Sequence, residues 1–230
     1  MTAVLVVVSV IIGLVVGWLA DPVITRVPLK LPVRGSAGPD EEPSPRGRRA
    51  TVAIACGALC GATAAVYDDS WVLPAYIVLA VALVVLSAID LETYLLPNRI
   101  VYPLWFVSIG LFAIAAIGDD NWDAYVRGLL AGAIAFAAFF TLHIVSPRGM
   151  GFGDVKLSFV LGLSLGWLGW GEALLGLFLG FLYGAVIGIL LVVTRIRARN
   201  QQLPFGPFLA AGAMTAILVG TQLVDWYTGS

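Results

Sequence analysis

Residues 71–92 read WVLPAYIVLAVALVVLSAIDLE, and no charge interrupts them from Trp71 to Ile89. A membrane-spanning helix needs roughly 20 mostly apolar residues, and this stretch supplies them. The rest of the chain agrees. Over 230 residues it is 60% apolar and 12% charged, with a mean hydropathy of +0.97. A soluble domain carries roughly 45–50% apolar and about 25% charged residues, so the expected fold is an all-α polytopic membrane helix bundle.

Seven further runs of similar character flank that stretch, giving about eight in all: 2–20, 50–66, 71–92, 100–118, 124–145, 155–170, 172–194 and 205–226. Gly166, Gly169 and Gly171 blur the junction between the sixth and seventh, so seven spans is the alternative count. The first run has no basic n-region and no small-x-small cleavage site, and it reads as a retained helix rather than a signal peptide. Three regions follow: 1–20 as a first transmembrane helix, 21–49 as a Pro-rich mobile cytoplasmic loop, and 50–230 as the transmembrane bundle. The loop holds six of the twelve prolines and buries too little apolar surface to fold alone.

Basic residues set the expected orientation, because Lys and Arg collect in cytoplasmic loops. With 21–49 inside the cell, twelve of the thirteen basic residues fall on that side and both termini fall outside; Arg127 is the exception. Glycines recur at four-residue spacing, as in Gly13/Gly17, Gly57/Gly61, Gly128/Gly132, Gly162/Gly166 and Gly176/Gly180/Gly184/Gly188. Each set lies on one helix face, where a missing side chain lets another backbone approach. A net charge of −1 supplies no basic surplus for phosphates, which excludes nucleic-acid binding as an expectation. Cys56 and Cys60, the only cysteines, stand at i, i+4 inside an apolar run and read as packing residues, so no metal site is expected.

Acids are the informative minority, since an ionisable group near hydrocarbon is costly. Asp68, Asp69, Asp119, Asp120, Asp123 and Glu172 cluster where helices start, and helix capping accounts for them. Asp90 does not fit. It lies near the end of its run, where the helix dipole disfavours an anion. With Pro97 ending the helix, Asp90 stands about two turns inside the boundary, at the cytoplasmic interface. The plain alternative is an acid solvated beside Arg99. Glu92 points about 200° away around a helix and is left out of the site.

The second acid, Asp154, follows Gly149, Gly151 and Gly153. Three glycines in five residues prevent a stable helix and allow close approach. Asp154 alone reads equally well as an N-cap. Topology puts both acids at one depth. Two neighbouring carboxyl groups share a proton, so one activates water while the other polarises a carbonyl. That chemistry is aspartic proteolysis. Lys156, two positions on, either assists the pair or snorkels to water. Pro204 and Pro207 suit the start of the last helix. His143, the only histidine, reads as a packed or hydrogen-bonded residue, and with Ser164 it makes no serine-type triad.

Asp90 with Leu95-Leu96-Pro97-Asn98, the run from Gly149 to Leu157, and Leu203-Pro204-Phe205-Gly206-Pro207-Phe208 together resemble the type IV prepilin peptidases, which are GxGD intramembrane aspartyl proteases. The resemblance covers roughly residues 70–215. It implies Asp90 and Asp154 as catalytic residues, with Gly149, Gly151, Gly153 and Lys156 in the active-site loop. It also implies endoproteolysis of the basic leader of a prepilin or pseudopilin substrate helix, at the cytoplasmic face of the inner membrane, with the lipid bilayer as surroundings and no cofactor for proteolysis. Longer members also methylate the new N-terminus with S-adenosylmethionine and carry Cys-x-x-Cys pairs in the first loop. This chain has no cysteine there, which removes the clearest marker of methylation. Two other classes remain as rivals: a proton- or ion-coupled small transporter, whose acids belong nearer the midplane, and a non-catalytic assembly component of a secretion system.

Overall fold

The computed structural model describes residues 2–28, 47–68, 70–146, 150–194 and 203–229. Among them are nine helices: α1 (Thr2–Leu19), α2 (Asp21–Arg26), α3 (Arg48–Val66), α4 (Leu73–Thr93), α5 (Asn98–Gly118), α6 (Trp122–Val145), α7 (Phe152–Leu168), α8 (Trp170–Val193) and α9 (Gly206–Thr228). Eight of them coincide with the eight apolar runs to within three residues. Six, α3 to α6, α8 and α9, are long and apolar enough to cross a membrane. The other two are shorter, 18 residues for α1 and 17 for α7. At 1.5 Å per residue α7 is about 26 Å long, against a hydrocarbon core of about 30 Å.

The chain forms two compact units, Met1–Asp119 and Asp120–Ser230. In the first, α1 packs antiparallel on α3 through the expected glycine faces. A Cβ on Gly13 would stand 2.6 Å from the Cys56 carbonyl oxygen, and one on Gly17 would stand 2.7 Å from the Ala53 Cα. Backbone cannot yield as a flexible side chain does, so glycine is required for this approach. Cys56 and Cys60 are buried in the same seam as free thiols. Between α1, α4 and the first turn of α5 runs an apolar groove of about 470 Å³, lined by residues including Val16, Val23, Val81, Val85 and Ile100.

The stretch 21–49 is not loop throughout. Asp21–Arg26 forms α2, with Pro22 in its first turn, and Arg48 and Arg49 open α3. An ion-pair network ties this segment in at the end where α1 finishes, α3 starts and α4 finishes. Arg48 donates from Nε to Asp21 Oδ1 at 2.8 Å, from Nη1 to Glu92 Oε2 at 2.7 Å, and from Nη2 to Thr25 Oγ1. Arg49 donates from Nε to Asp21 Oδ2 at 2.8 Å. Burial pushes the Asp21 carboxyl up, but the hydrogen bonds from Arg49 and Arg48 and their charges outweigh it, leaving Asp21 below the usual aspartate value of 3.8. The remaining residues of that loop, 29–46, lie outside the described residues.

In the second unit α7 is the centre. It packs on α6, α8 and α9, and from Asp154 to Trp167 every residue but Phe159 is buried. A helix buried on every side is a core helix rather than one with a lipid-facing side. Gly128 and Gly132 of α6 meet Gly162 and Gly166 of α7; a Cβ on Gly162 would stand 2.7 Å from the Ala131 carbonyl oxygen. Arg127, the one basic residue against the orientation rule, has a structural use. It donates to the last carbonyls of α7, from Nε to Gly166 O at 2.8 Å and from Nη2 to Trp167 O at 2.6 Å and Leu168 O at 3.2 Å. A cation here satisfies orphan carbonyls and complements the helix dipole.

Candidate active site

Asp90 lies in the last turn of α4 and is buried, with 5% of its surface exposed. That burial removes the reading of an acid solvated beside Arg99. The helix ends sooner than Pro97 implies: Thr93 is the last residue, and Tyr94 closes it in the left-handed region at φ 55°, its N–H donating to Asp90 O at 2.9 Å. Pro97 instead stands in extended backbone as the N-cap of α5. Asp90 is thus within one turn of the helix end rather than two. Glu92 is paired with Arg48 at 2.7 Å.

Gly151, Gly153, Asp154 and Lys156 gather in the second unit, at the start of α7. Gly149 lies outside the described residues. Gly151 is the N-cap, in extended backbone, and its carbonyl accepts from the Asp154 N–H at 3.1 Å and the Val155 N–H at 3.4 Å. Asp154 is therefore not the N-cap itself. It is the third helical residue, 6% exposed, with its carboxylate folded back over the turn: a Cβ on Gly151 would stand 3.1 Å from Asp154 Oδ2. This is the end of a helix that favours negative charge.

The same device recurs at the start of α8. Gly169 is the N-cap, Glu172 is the third helical residue, and the Glu172 carboxylate folds back over Gly169. An acid in this position has a structural use, and Glu172 is the natural control for any chemistry assigned to Asp154.

Lys156 does not snorkel into water. It is 7% exposed, and its ammonium stands 4.6 Å from the centroid of the Phe152 ring. At that range the ring face attracts the cation. His143, in the last turn of α6, approaches the same turn: Nδ1 is 2.8 Å from Met150 O, and its ring centroid is 5.4 Å from that of Phe152. The expectation of a hydrogen-bonded histidine holds; its contact with the glycine turn was not legible in the spacing.

Asp123 stands in the first turn of α6, where the helix dipole favours an acid, and Asn121 is the N-cap, its side chain accepting from Ala124 N–H at 3.2 Å. Asp119 accepts from Ser70 Oγ–H at 3.2 Å and the Trp71 N–H at 3.4 Å, steadying the approach to α4 from across the unit. Asp68 does not cap α4, whose N-cap Val72 has no side-chain bond, and Asp69 lies outside the described residues.

These features define a polytopic helical membrane protein with two buried acids at helix ends, one of them after a glycine turn. The profile of the type IV leader peptidase family matches residues 77–193, a span that contains both acids, and the chain belongs to that family. It is similar to the prepilin leader peptidase/N-methyltransferase of Stutzerimonas stutzeri, at 35% identity over 182 residues, covering 76% of this chain and 60% of the relative. It is similar also to the proteins of the same name from Aeromonas hydrophila, at 32% over 72% of this chain and 56% of the relative, and Bacillus subtilis, at 33% over 63% and 55%. The chain spans less than two thirds of the length of these relatives. No solved structure matches.

Proposed function

We propose that this chain is an intramembrane aspartic endopeptidase that cleaves the leader from prepilin-like or pseudopilin substrates at the cytoplasmic face of the inner membrane, with Asp90 and Asp154 as its catalytic pair. The observation that carries the reading is the family match over 77–193, which includes both acids. Their settings support it: each is buried, and each ends or starts a helix.

One carboxylate of the pair takes a proton from water as the oxygen attacks the scissile carbonyl carbon, and the other acid, protonated, gives its proton to the carbonyl oxygen. The C–N bond then breaks as the amine leaves with the proton taken from water, while a hydroxyl proton of the tetrahedral intermediate returns to the other acid, giving a carboxylic acid and a new N-terminus. No step calls on a cofactor. Methyl transfer from S-adenosylmethionine is a separate activity, and Cys56 and Cys60, buried between helices, present no thiol pair to support it in a cytoplasmic loop.

The test is incubation of the purified protein in liposomes with a peptide carrying a short basic leader before an apolar helix, with the product sequenced by mass spectrometry. Cleavage between leader and helix supports the reading. Proton-coupled uptake without proteolysis favours a transporter, and intact peptide with normal folding favours a non-catalytic component. A labelled methyl donor in the same reaction decides methylation.

A further inference from the structure

Gly151 and Gly153 leave the backbone before Asp154 without side chains to lock it, and glycine loses more freedom on ordering than any other residue. A turn that must hold a reacting carboxylate in place therefore needs an anchor outside itself. We infer that His143 is that anchor: a positioning residue that pins the entry to the Gly151–Asp154 turn from the last turn of α6. The inference rests on the reading of Asp154 as catalytic.

Two contacts carry it, one on each side of Gly151. On the near side, His143 Nδ1 is 2.8 Å from the carbonyl oxygen of Met150. A carbonyl only accepts, so Nδ1 holds the proton and the tautomer is fixed by the contact. Met150 is itself buried, at 8% exposure, and its carbonyl belongs to the peptide that joins it to Gly151. On the far side, Phe152 lies on the same α6 turn. Its ring centroid is 5.4 Å from His143 and 6.3 Å from Phe140, and Phe140 and His143 are one helical turn apart. Phe152 in turn holds the Lys156 ammonium at 4.6 Å. Gly151, clamped between Met150 and Phe152, offers the carbonyl that accepts from Asp154 N–H, and the Asp154 carboxylate folds over it. The Met150 contact thus fixes the peptide plane that enters Gly151, and the Phe152 contact restrains the next plane, whose Gly151 carbonyl accepts from the Asp154 N–H.

Nothing here requires His143 to touch substrate or water. Its work is geometric, and misplacing a reacting group by about 1 Å costs on the order of 100-fold in rate. Loss of one of two contacts should cost less, about tenfold.

The experiment compares His143→Leu, which keeps bulk and loses the donor, with His143→Asn, whose amide N–H takes the place of Nδ1–H. Peptide cleavage in liposomes gives kcat and KM, and hydrogen exchange reads the Asp154 and Val155 amides. His143→Leu should lower kcat about tenfold with KM little changed and speed exchange at both amides. His143→Asn should recover most of both, at the same thermal midpoint as His143→Leu. Equal impairment of the two variants would overturn the hydrogen bond as the anchor, and wild-type kcat and exchange in His143→Leu would overturn the inference outright. Asp154→Asn separates the levels: if it still cleaves, the catalytic reading has failed, while the exchange of the two amides still decides whether His143 pins the turn.

Discussion

Arg48→Met removes the centre of the ion-pair network in the first unit. Arg48 is 8% exposed and donates to Asp21, Glu92 and Thr25. The Asp21 side chain is 5% exposed and would keep only Arg49, whose own side chain is 52% exposed and partly screened; Glu92, at 36%, can turn to water. Breaking a buried pair costs roughly 3–5 kcal/mol because the remaining charge stays buried. Arg49 holds the effect near the low end, about 3 kcal/mol. For a chain of this size that is a fall in Tm of roughly 6–12 °C, read by thermal unfolding in detergent at neutral pH. Arg48→Met with Asp21→Leu should be less destabilised than Arg48→Met alone, since no buried charge is stranded. The pH dependence follows from Asp21. Its folded-state value lies below 3.8, so its contribution is complete above the usual aspartate range and is lost as pH falls through the lowered value. The Tm gap between wild type and Asp21→Asn should therefore narrow only below about pH 4. An Arg48→Met protein within about 2 °C of wild type, or a gap independent of acid, would refute the assignment of this network as a structural tie.

Other substitutions have equally direct readouts. Arg127→Gln removes a charged donor from three α7 carbonyls and should cost about 2 kcal/mol, measured as Tm, with Arg127→Lys restoring only part because a single ammonium cannot span the fork. Gly162→Ala puts a methyl 2.7 Å from the Ala131 carbonyl, and because backbone opposes it α6 and α7 must separate, at a cost of about 1–3 kcal/mol by the same assay. Gly151→Ala sets a methyl 3.1 Å from Asp154 Oδ2 at a φ of −67° that alanine accepts, so kcat for peptide cleavage should fall while Tm stays put.

Hydropathy exposed the eight long helices because each residue contributes to an apolar run on its own. Four-residue glycine spacing exposed the close helix faces for the same reason: the information is local. What the sequence hid is held by distant partners. Asp21–Arg26 looks like loop, and it is helical beside an Asp21 gripped by Arg48 and Arg49, 27 and 28 positions away. Arg127 is an exception to a charge rule until the end of α7, some 40 positions on, comes to it. Tyr94 rather than Pro97 ends α4 because a left-handed residue stops a helix as firmly as a proline, and tyrosine gives no warning of it. Of the candidate site, the glycine turn and both acids were legible as motif. The contact of His143 with Met150, seven positions away across that turn, was not.

The central claim is that Asp90 and Asp154 act as one catalytic pair. Single-turnover cleavage of the leader peptide by Asp90→Asn, Asp154→Asn and Glu172→Gln proteins, each folded as judged by its Tm, tests it most directly. Asparagine at either 90 or 154 should abolish cleavage, and the Glu172→Gln protein, altered at the matching position of α8, should retain it. Turnover surviving in either asparagine variant, or lost equally in Glu172→Gln, would contradict the claim.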